Sequence, residues 1–425
     1  MGTPQPSPVV WDPTFRLPAR EAARPHCWFP NIEMQPEAPA TPVAPHDPSA
    51  TENTVTVLTA QAAGAIAVIR LEGPLVATVV PRRARGRSGR PLDLPPGPRP
   101  RLVRWDFGGP VPEEAVLYRP SETVLEIHCH GGIRVVENLV RAASADGFVR
   151  QTWQDWLLRE ESDPIATAAR IALAQARTTR TADILLDQYH GALRTAVQEI
   201  AAGLERGDAE AANRLRRLAS RIPLGRHLIR PWQVVILGPP NAGKSSLLNA
   251  LAGYGRALVH PMPGTTRDLV SAVIAADGWP IELIDTAGLR RAEHPVERLG
   301  VQKAEDAARS ADLVILVFDR SQRWEPDHGA LARRYPQALL LHNKSDLPAA
   351  PGDRPPGVDV SAHRPEDVPA ILEALVERLV PSPPMPGEAI PFTEEQAAAV
   401  REALELLPRA GPSTAARRLK SLTTS

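Results

Sequence analysis

The sequence predicts an α/β domain over residues 231–380, built on a doubly wound, mostly parallel sheet. Three observations predict it. Apolar, β-branched runs (QVVILG, PIELID, ADLVILVFD, QALLLHN) alternate with amphipathic helical segments from Trp232 to about Val380. Such continuous apolar strands belong in a parallel sheet covered by helices on both faces. GPPNAGKS (238–245) sits directly between one of these strands and a helix. Short polar motifs then recur just past the ends of later strands, where α/β sheets bind ligands.

The 425 residues suffice for two to four domains with buried cores. Lys plus Arg and Asp plus Glu both count 49, so net charge argues neither for nor against an RNA partner, and no DNA partner is expected. Only two cysteines occur, Cys27 and Cys129, which excludes a disulfide scaffold and fits a reducing, cytoplasmic setting. No apolar run approaches the roughly 18 residues of a membrane span, and the N-terminus lacks the order of a signal peptide. The 46 prolines and few aromatics carry no functional meaning.

Residues 1–50 are proline-rich, lack a sustained hydrophobic period, and read as a disordered extension. TVTVLTA (54–60) and GAIAVIRLEG (64–73) are short strands within a 51–150 domain. PRRARGRSGRPLDLPPGPRPR (81–101) reads as a basic, solvated insertion rather than an RNA-binding patch. ETVLEIHCHGG (122–132) is a strand ending in a glycine turn. Alternation along that strand puts His128 and His130 on one face and Cys129 on the other, which disfavours a metal site. Helical periodicity spans residues 162–220, inside a 151–230 helical domain. After 381–391 (PSPPMPGEAIP), one helix over 393–407, capped by Thr393, and a polar tail complete a 381–425 segment.

GPPNAGKS fits G-x-x-x-x-G-K-S in the strand–loop–helix context a phosphate-binding loop requires. Gly238, Ala242, Gly243, Ser245 and Ser246 would turn backbone N–H groups toward phosphates at a helix N-terminus. Lys244 would reach the β- and γ-phosphates and Ser245 would ligate Mg²⁺. In DTAG (285–288), Asp285 would hold the metal through water and the Gly288 N–H would meet the γ-phosphate. In GTTRD (264–268), Thr266, or else Thr265, would complete the Mg²⁺ site. NKSD (343–346) supplies Asp346, whose carboxylate accepts both guanine N1–H and N2–H and so selects GTP over ATP. Asn343 would bridge the base and the loop, and Lys344 would lay its stem on the base. VSA (360–362), with Ser361 and Ala362, would offer a backbone N–H to guanine O6. Leu289 stands where many GTPases place the glutamine that orients water.

GPPNAGKSSLLNALAG, PGTTRD, DTAGLRRAEHPVERLG and NKSD resemble the G domain of the MnmE (TrmE) family of tRNA-modification GTPases. NTVTVLTAQAAGAIAVIRLEGP (53–74) and ETVLEIHCHGG resemble that family's N-terminal folate-binding, dimerising domain, and ALAQA (172–176) its helical domain, here shortened. The resemblance covers roughly 51–380. It implies a GTPase that replaces the glutamine with a potassium ion, held by the side chain of Asn241 and by switch carbonyls near His260 and Met262 when two G domains pair. It also implies that Glu297 orients the attacking water. A homodimer, tRNA, an MnmG-like flavoprotein partner and a folate derivative are implied as well. The chain departs from the family at Ala63, where arginine is usual, and at RPSET (119–123). It also lacks a counterpart of the family's C-terminal cysteine motif. These departures favour a second expectation, a paralogous regulatory GTPase without tRNA chemistry. A ribosome-assembly GTPase shares GTTRD and the loop asparagine but not the N-terminal domain.

Overall fold

The computed structural model describes residues 52–59, 64–86, 88–92, 94–255, 270–285 and 306–424. Its first sheet has seven strands: β1 (Thr54–Val57), β2 (Ile66–Glu72), β3 (Ala84–Arg85), β4 (Arg101–Trp105), β5 (Glu113–Ser121), β6 (Val124–His130) and β7 (Val149–Gln151). Their order is β3-β4-β5-β6-β2-β1-β7, antiparallel except for the β1–β7 pair. Strict alternation in β2 buries Ala67, Ile69 and Leu71, and the register sets Ile69 opposite Ile127 and Leu71 opposite Leu125. The helices Val76–Arg83 and Ile133–Ala145 add Val76, Val80 and Leu139 to this core. His128 and His130 do lie on the face opposite the buried Cys129, and His130 Nδ1 is 2.5 Å from Glu113 Oε1.

The helices Trp153–Glu160, Pro164–Leu173, Thr179–Tyr189, Ala192–Glu205 and Ala209–Ser220 follow. Thr152, Asp163, Thr178 and Asp208 cap four of them with side-chain oxygens, as their short polar side chains predict. Two further helices, Glu394–Ala410 and Pro412–Lys420, return to pack on the same group. The sequence pattern gives one helix and a tail there. The second helix escapes notice because its buried stripe is only Ala415, Ala416 and Leu419, a weak apolar signal on an otherwise basic segment. Gly411, at φ 84°, makes the turn between the two, and Lys420 Nζ reaches Glu205 Oε1 at 2.7 Å. The helical layer is thus assembled from chain on both sides of the α/β domain.

The second sheet holds β8 (Trp232–Leu237), β9 (Val270–Ala276), β10 (Trp279–Asp285), β11 (Leu313–Asp319), β12 (Leu339–Asn343) and β13 (Val358–Asp359), in the order β13-β12-β11-β8-β10-β9. All pairs are parallel except β9–β10, a hairpin turned by Asp277 and Gly278, both at positive φ. All seven residues of β11 are buried, as a central strand covered on both faces requires. The helices Lys244–Gly255, Pro326–Arg334 and Val368–Leu379 accompany this sheet. The C-terminal ends of β8, β10, β11 and β12 lead directly into Gly238, Asp285, Asp319 and Asn343.

Candidate nucleotide site

The loop after β8 holds three residues at positive φ: Gly238 at 148°, Asn241 at 60° and Gly243 at 92°. Each stop turns the chain tightly enough to aim backbone N–H groups inward ahead of the Lys244–Gly255 helix. Two of the three need glycine for space as well. A Cβ on Gly238 would strike the Val317 carbonyl, and one on Gly243 would strike the Asn343 carboxamide. Lys244 is buried and folds back over the loop, its Nζ donating to the carbonyls of Gly238 (3.0 Å) and Pro239 (2.7 Å).

Ser245 and Asp285, expected at one metal, meet in space. Ser245 Oγ donates to Asp285 Oδ2 at 2.6 Å across the P-loop helix and the end of β10. A hydroxyl and a carboxylate brought together beside a phosphate-binding loop are the hard oxygen donors that Mg²⁺ takes.

On the base side, Asn343 works as a staple. It is buried, its Nδ2 donates to Ala242 O at 2.8 Å, and its Oδ1 accepts the Ala362 N–H at 3.0 Å. One side chain so ties the NKSD turn, the P-loop and the VSA loop together. Asp346 is exposed, with Oδ1 accepting from Ser361 Oγ at 2.5 Å. That hydrogen bond holds the Asp346 carboxyl below the usual aspartate range. The Ser361 N–H goes to Asp367 Oδ2 at 2.7 Å. The Ser361 and Ala362 amides are therefore both committed to side chains, while the Val360 N–H donates to His342 O. An Ala362 contact to guanine O6 requires that N–H to be shared with Asn343.

Two residues of this cluster do not emerge from motif reading. Asp319 ends β11 and accepts from Lys344 Nζ at 2.7 Å. Asp367 lies just before the Val368–Leu379 helix and holds the Ser361 amide. The signal for Asp319 was available, since a lone carboxylate closes the apolar run ADLVILVFD. Asp367 has no comparable signal.

Residues 233–344 match the family model described as a 50S ribosome-binding GTPase. The tRNA modification GTPase MnmE of Synechococcus sp. (strain WH7803) is 37% identical over 330 residues, which span 67% of this chain and 70% of that protein. This chain belongs to the MnmE family. The MnmE of Desulfitobacterium hafniense (strain Y51) is 31% identical over 343 residues, 69% of this chain and 72% of that protein. The MnmE of Synechococcus sp. (strain JA-2-3B'a(2-13)) is 30% identical over 399 residues, 82% and 85% of the two chains. The chain is accordingly a GTPase, and its family implies binding of GTP and Mg²⁺. Thr265, Thr266, Gly288, Glu297, His260 and Met262 lie outside the described residues. Among the described residues no helix is long and apolar enough to cross a membrane.

Proposed function

We propose that this protein is a potassium-stimulated GTPase that hydrolyses GTP while its G domain is paired with a second copy, and that it serves tRNA wobble-uridine modification with an MnmG-like flavoprotein. One observation carries the proposal. Asn241 stands exposed in the phosphate loop in a left-handed conformation, and no hydrogen bond to another described residue occupies its carboxamide. A non-glycine residue at positive φ is uncommon, and asparagine is among the residues that tolerate it best. The carboxamide oxygen is a suitable neutral donor for a monovalent cation beside the phosphates. Bound there, the ion would supply the positive charge that an arginine finger supplies in other GTPases.

The chain's own residues divide the remaining work. Lys244 releases its loop carbonyls to meet the β- and γ-phosphates. Ser245 and Asp285 would hold Mg²⁺, with Thr266 or Thr265 as a further oxygen donor. Asp346 selects guanine, and Asn343 keeps the base loops on the P-loop. Glu297 orients the attacking water, and the Gly288 amide meets the γ-phosphate. The carbonyls of His260 and Met262 would complete the potassium site that the family resemblance implies. A folate derivative would bind in the 51–150 domain, where Ala63 and RPSET depart from the family's pattern.

The test is steady-state GTP hydrolysis in potassium chloride against sodium chloride at several protein concentrations. Stimulation by potassium that grows with concentration is expected. Equal slow rates in both salts would overturn the potassium and pairing parts together. A second reading, a GTPase switch without tRNA chemistry, is favoured by one observation. The described residues hold one cysteine, Cys129, which is buried and whose thiol burial pushes up to about 11. Such a thiol is a poor nucleophile. Nucleoside analysis of tRNA incubated with the protein, the flavoprotein and cofactors separates the two readings.

A further inference from the structure

Lys344 and Asp319 form an ion pair that the nucleotide motifs do not account for. Asp319 is the last residue of β11 and the register partner of Asn343, the last residue of β12. Its carboxylate is held from both sides. Oδ1 accepts the Ser321 N–H at 2.9 Å and the Ser321 hydroxyl at 2.6 Å, while Oδ2 accepts Lys344 Nζ at 2.7 Å. Burial pushes the Asp319 carboxyl up, but the hydrogen bonds from Lys344 and Ser321 outweigh it and hold the group below the usual aspartate range. Lys344 itself sits at φ 65°, a left-handed backbone that a lysine adopts only when its surroundings impose it. The Arg320 N–H donates to Asn343 O at 2.8 Å and locks the two strand ends side by side.

A partly buried ion pair is weak evidence for stability, because desolvation and side-chain ordering cancel much of its attraction. A mobile lysine would be solvated more cheaply elsewhere on the surface, so the fixed position calls for a reason. Both ends of the Lys344 side chain are pinned: the backbone by its turn, the ammonium by Asp319. The stem between them cannot wander.

We infer that Asp319 is a positioning residue for the guanine site: it pins the Lys344 ammonium so that the lysine's apolar stem forms a fixed wall against the face of the purine that Asp346 holds by its edge. The inference rests on the guanine-site reading of NKSD. Asp319 touches no nucleotide atom in this scheme. It acts by removing the entropy that Lys344 would otherwise lose on binding.

The experiment uses the full-length protein, with titration of a fluorescent GTP analogue and steady-state kinetics for Asp319→Asn, Lys344→Ala and the double variant. Asp319→Asn is expected to raise Kd and KM for GTP about tenfold while kcat at saturation stays within about twofold. In the Lys344→Ala background the same change should add less than about twofold, since the residue it positions is gone. A weaker version, Ser321→Ala, loosens the carboxylate without removing it and should move KM in the same direction by about threefold. It keeps the test decisive where Asp319→Asn fails to fold. An equal effect of Asp319→Asn with and without Lys344, or an unchanged KM, would overturn the inference. Should Lys344→Ala leave GTP affinity unaltered, the guanine-site reading itself falls. A loss with Lys344→Ala but none with Asp319→Asn or Ser321→Ala rejects this inference alone.

Discussion

Arg180 grips Asp277 with both ends of its guanidinium, Nη1 to Oδ2 at 2.8 Å and Nη2 to Oδ1 at 3.2 Å. Arg180 lies in the first turn of the Thr179–Tyr189 helix, and Asp277 is at the tip of the β9–β10 hairpin. The same guanidinium stacks over Trp279 at 5.5 Å, and Thr178 Oγ1 donates to Gly278 O at 2.6 Å. The helical layer therefore holds the hairpin whose strands begin right after residues 256–269 and end right before residues 286–305. Those two segments carry GTTRD and the water-orienting candidate.

Arg180→Glu should loosen this grip and place two carboxylates face to face. The pair is exposed, so the direct loss of stability is small, about 0.2–1 kcal/mol for an ion pair of this kind. The larger change should appear in GTP hydrolysis, because the hairpin's second strand ends at Asp285. Adding Asp277→Arg restores opposite charges and should recover much of the rate. Thermal unfolding and kcat measured on the single and double variants check this. A rate in Arg180→Glu equal to that of the parent would show that the grip serves docking alone.

Asn241→Ala removes the carboxamide proposed to hold potassium and leaves the phosphate loop's glycines and Lys244 in place. Potassium stimulation of GTP hydrolysis should vanish, with GTP affinity changed by no more than about twofold. The positive φ at position 241 adds a cost for alanine. Asn241→Gly, which accepts that φ freely, serves as the control and should behave the same way. Loss of nucleotide binding in both variants would assign Asn241 to the phosphate cradle instead of the ion.

The pH dependence of GTP binding follows from Asp346. Its carboxyl is held low by the hydrogen bond from Ser361. A depressed pKa means the charged form persists as pH falls through the ordinary aspartate range and is lost only below it. GTP affinity should hold on acidification to that point and then drop. Ser361→Ala removes the hydrogen bond and raises the Asp346 pKa toward its ordinary value. The drop should then begin at higher pH. Binding isotherms across the acid range distinguish the two proteins, and an unmoved profile would detach Asp346 from the pH effect.

The α/β sheet and the nucleotide cluster were legible because their signals are local. Apolar strand runs announce themselves, and the GPPNAGKS, DTAG and NKSD residues fall at strand ends the pattern already marks. That proximity let Ser245 be paired with Asp285 from sequence, and the structure brings them to 2.6 Å. What escaped either has no motif of its own or depends on distant chain. Asp367 lies only six residues beyond Ser361 and meets its amide at the start of the Val368–Leu379 helix, but no pattern marks it. The Pro412–Lys420 helix buries small alanines against the Ala192–Glu205 helix, a fit no periodicity count detects. The commitment of the Ala362 N–H to Asn343 is equally invisible, since both motifs look complete alone.

Gln188 tests how the chain on the far side of the α/β domain is tied back. It is wholly buried in the Thr179–Tyr189 helix. Its Nε2 donates to Ile184 O and Glu388 O, each at 3.0 Å, and its Oε1 accepts the Ile390 N–H at 3.1 Å. Nearby, Arg221 pairs with Glu388 at 2.6 Å, and the Gly387 N–H donates to Asp187 Oδ2 at 2.8 Å. Gln188→Leu keeps the volume but leaves the Ile390 N–H and the Glu388 carbonyl without their partner. Each buried backbone group so stranded costs about 1–3 kcal/mol, so urea unfolding should shift by several kcal/mol at most. The Gln188 carboxamide bonds only to Ile184, Glu388 and Ile390 among the described residues, away from the strand ends that carry the nucleotide motifs, so GTP hydrolysis well below the unfolding transition should be unchanged. A stability loss under about 0.5 kcal/mol, the usual effect of a surface substitution, would mean that water replaces the carboxamide and that the 384–392 segment is held by Arg221 and Asp187 instead.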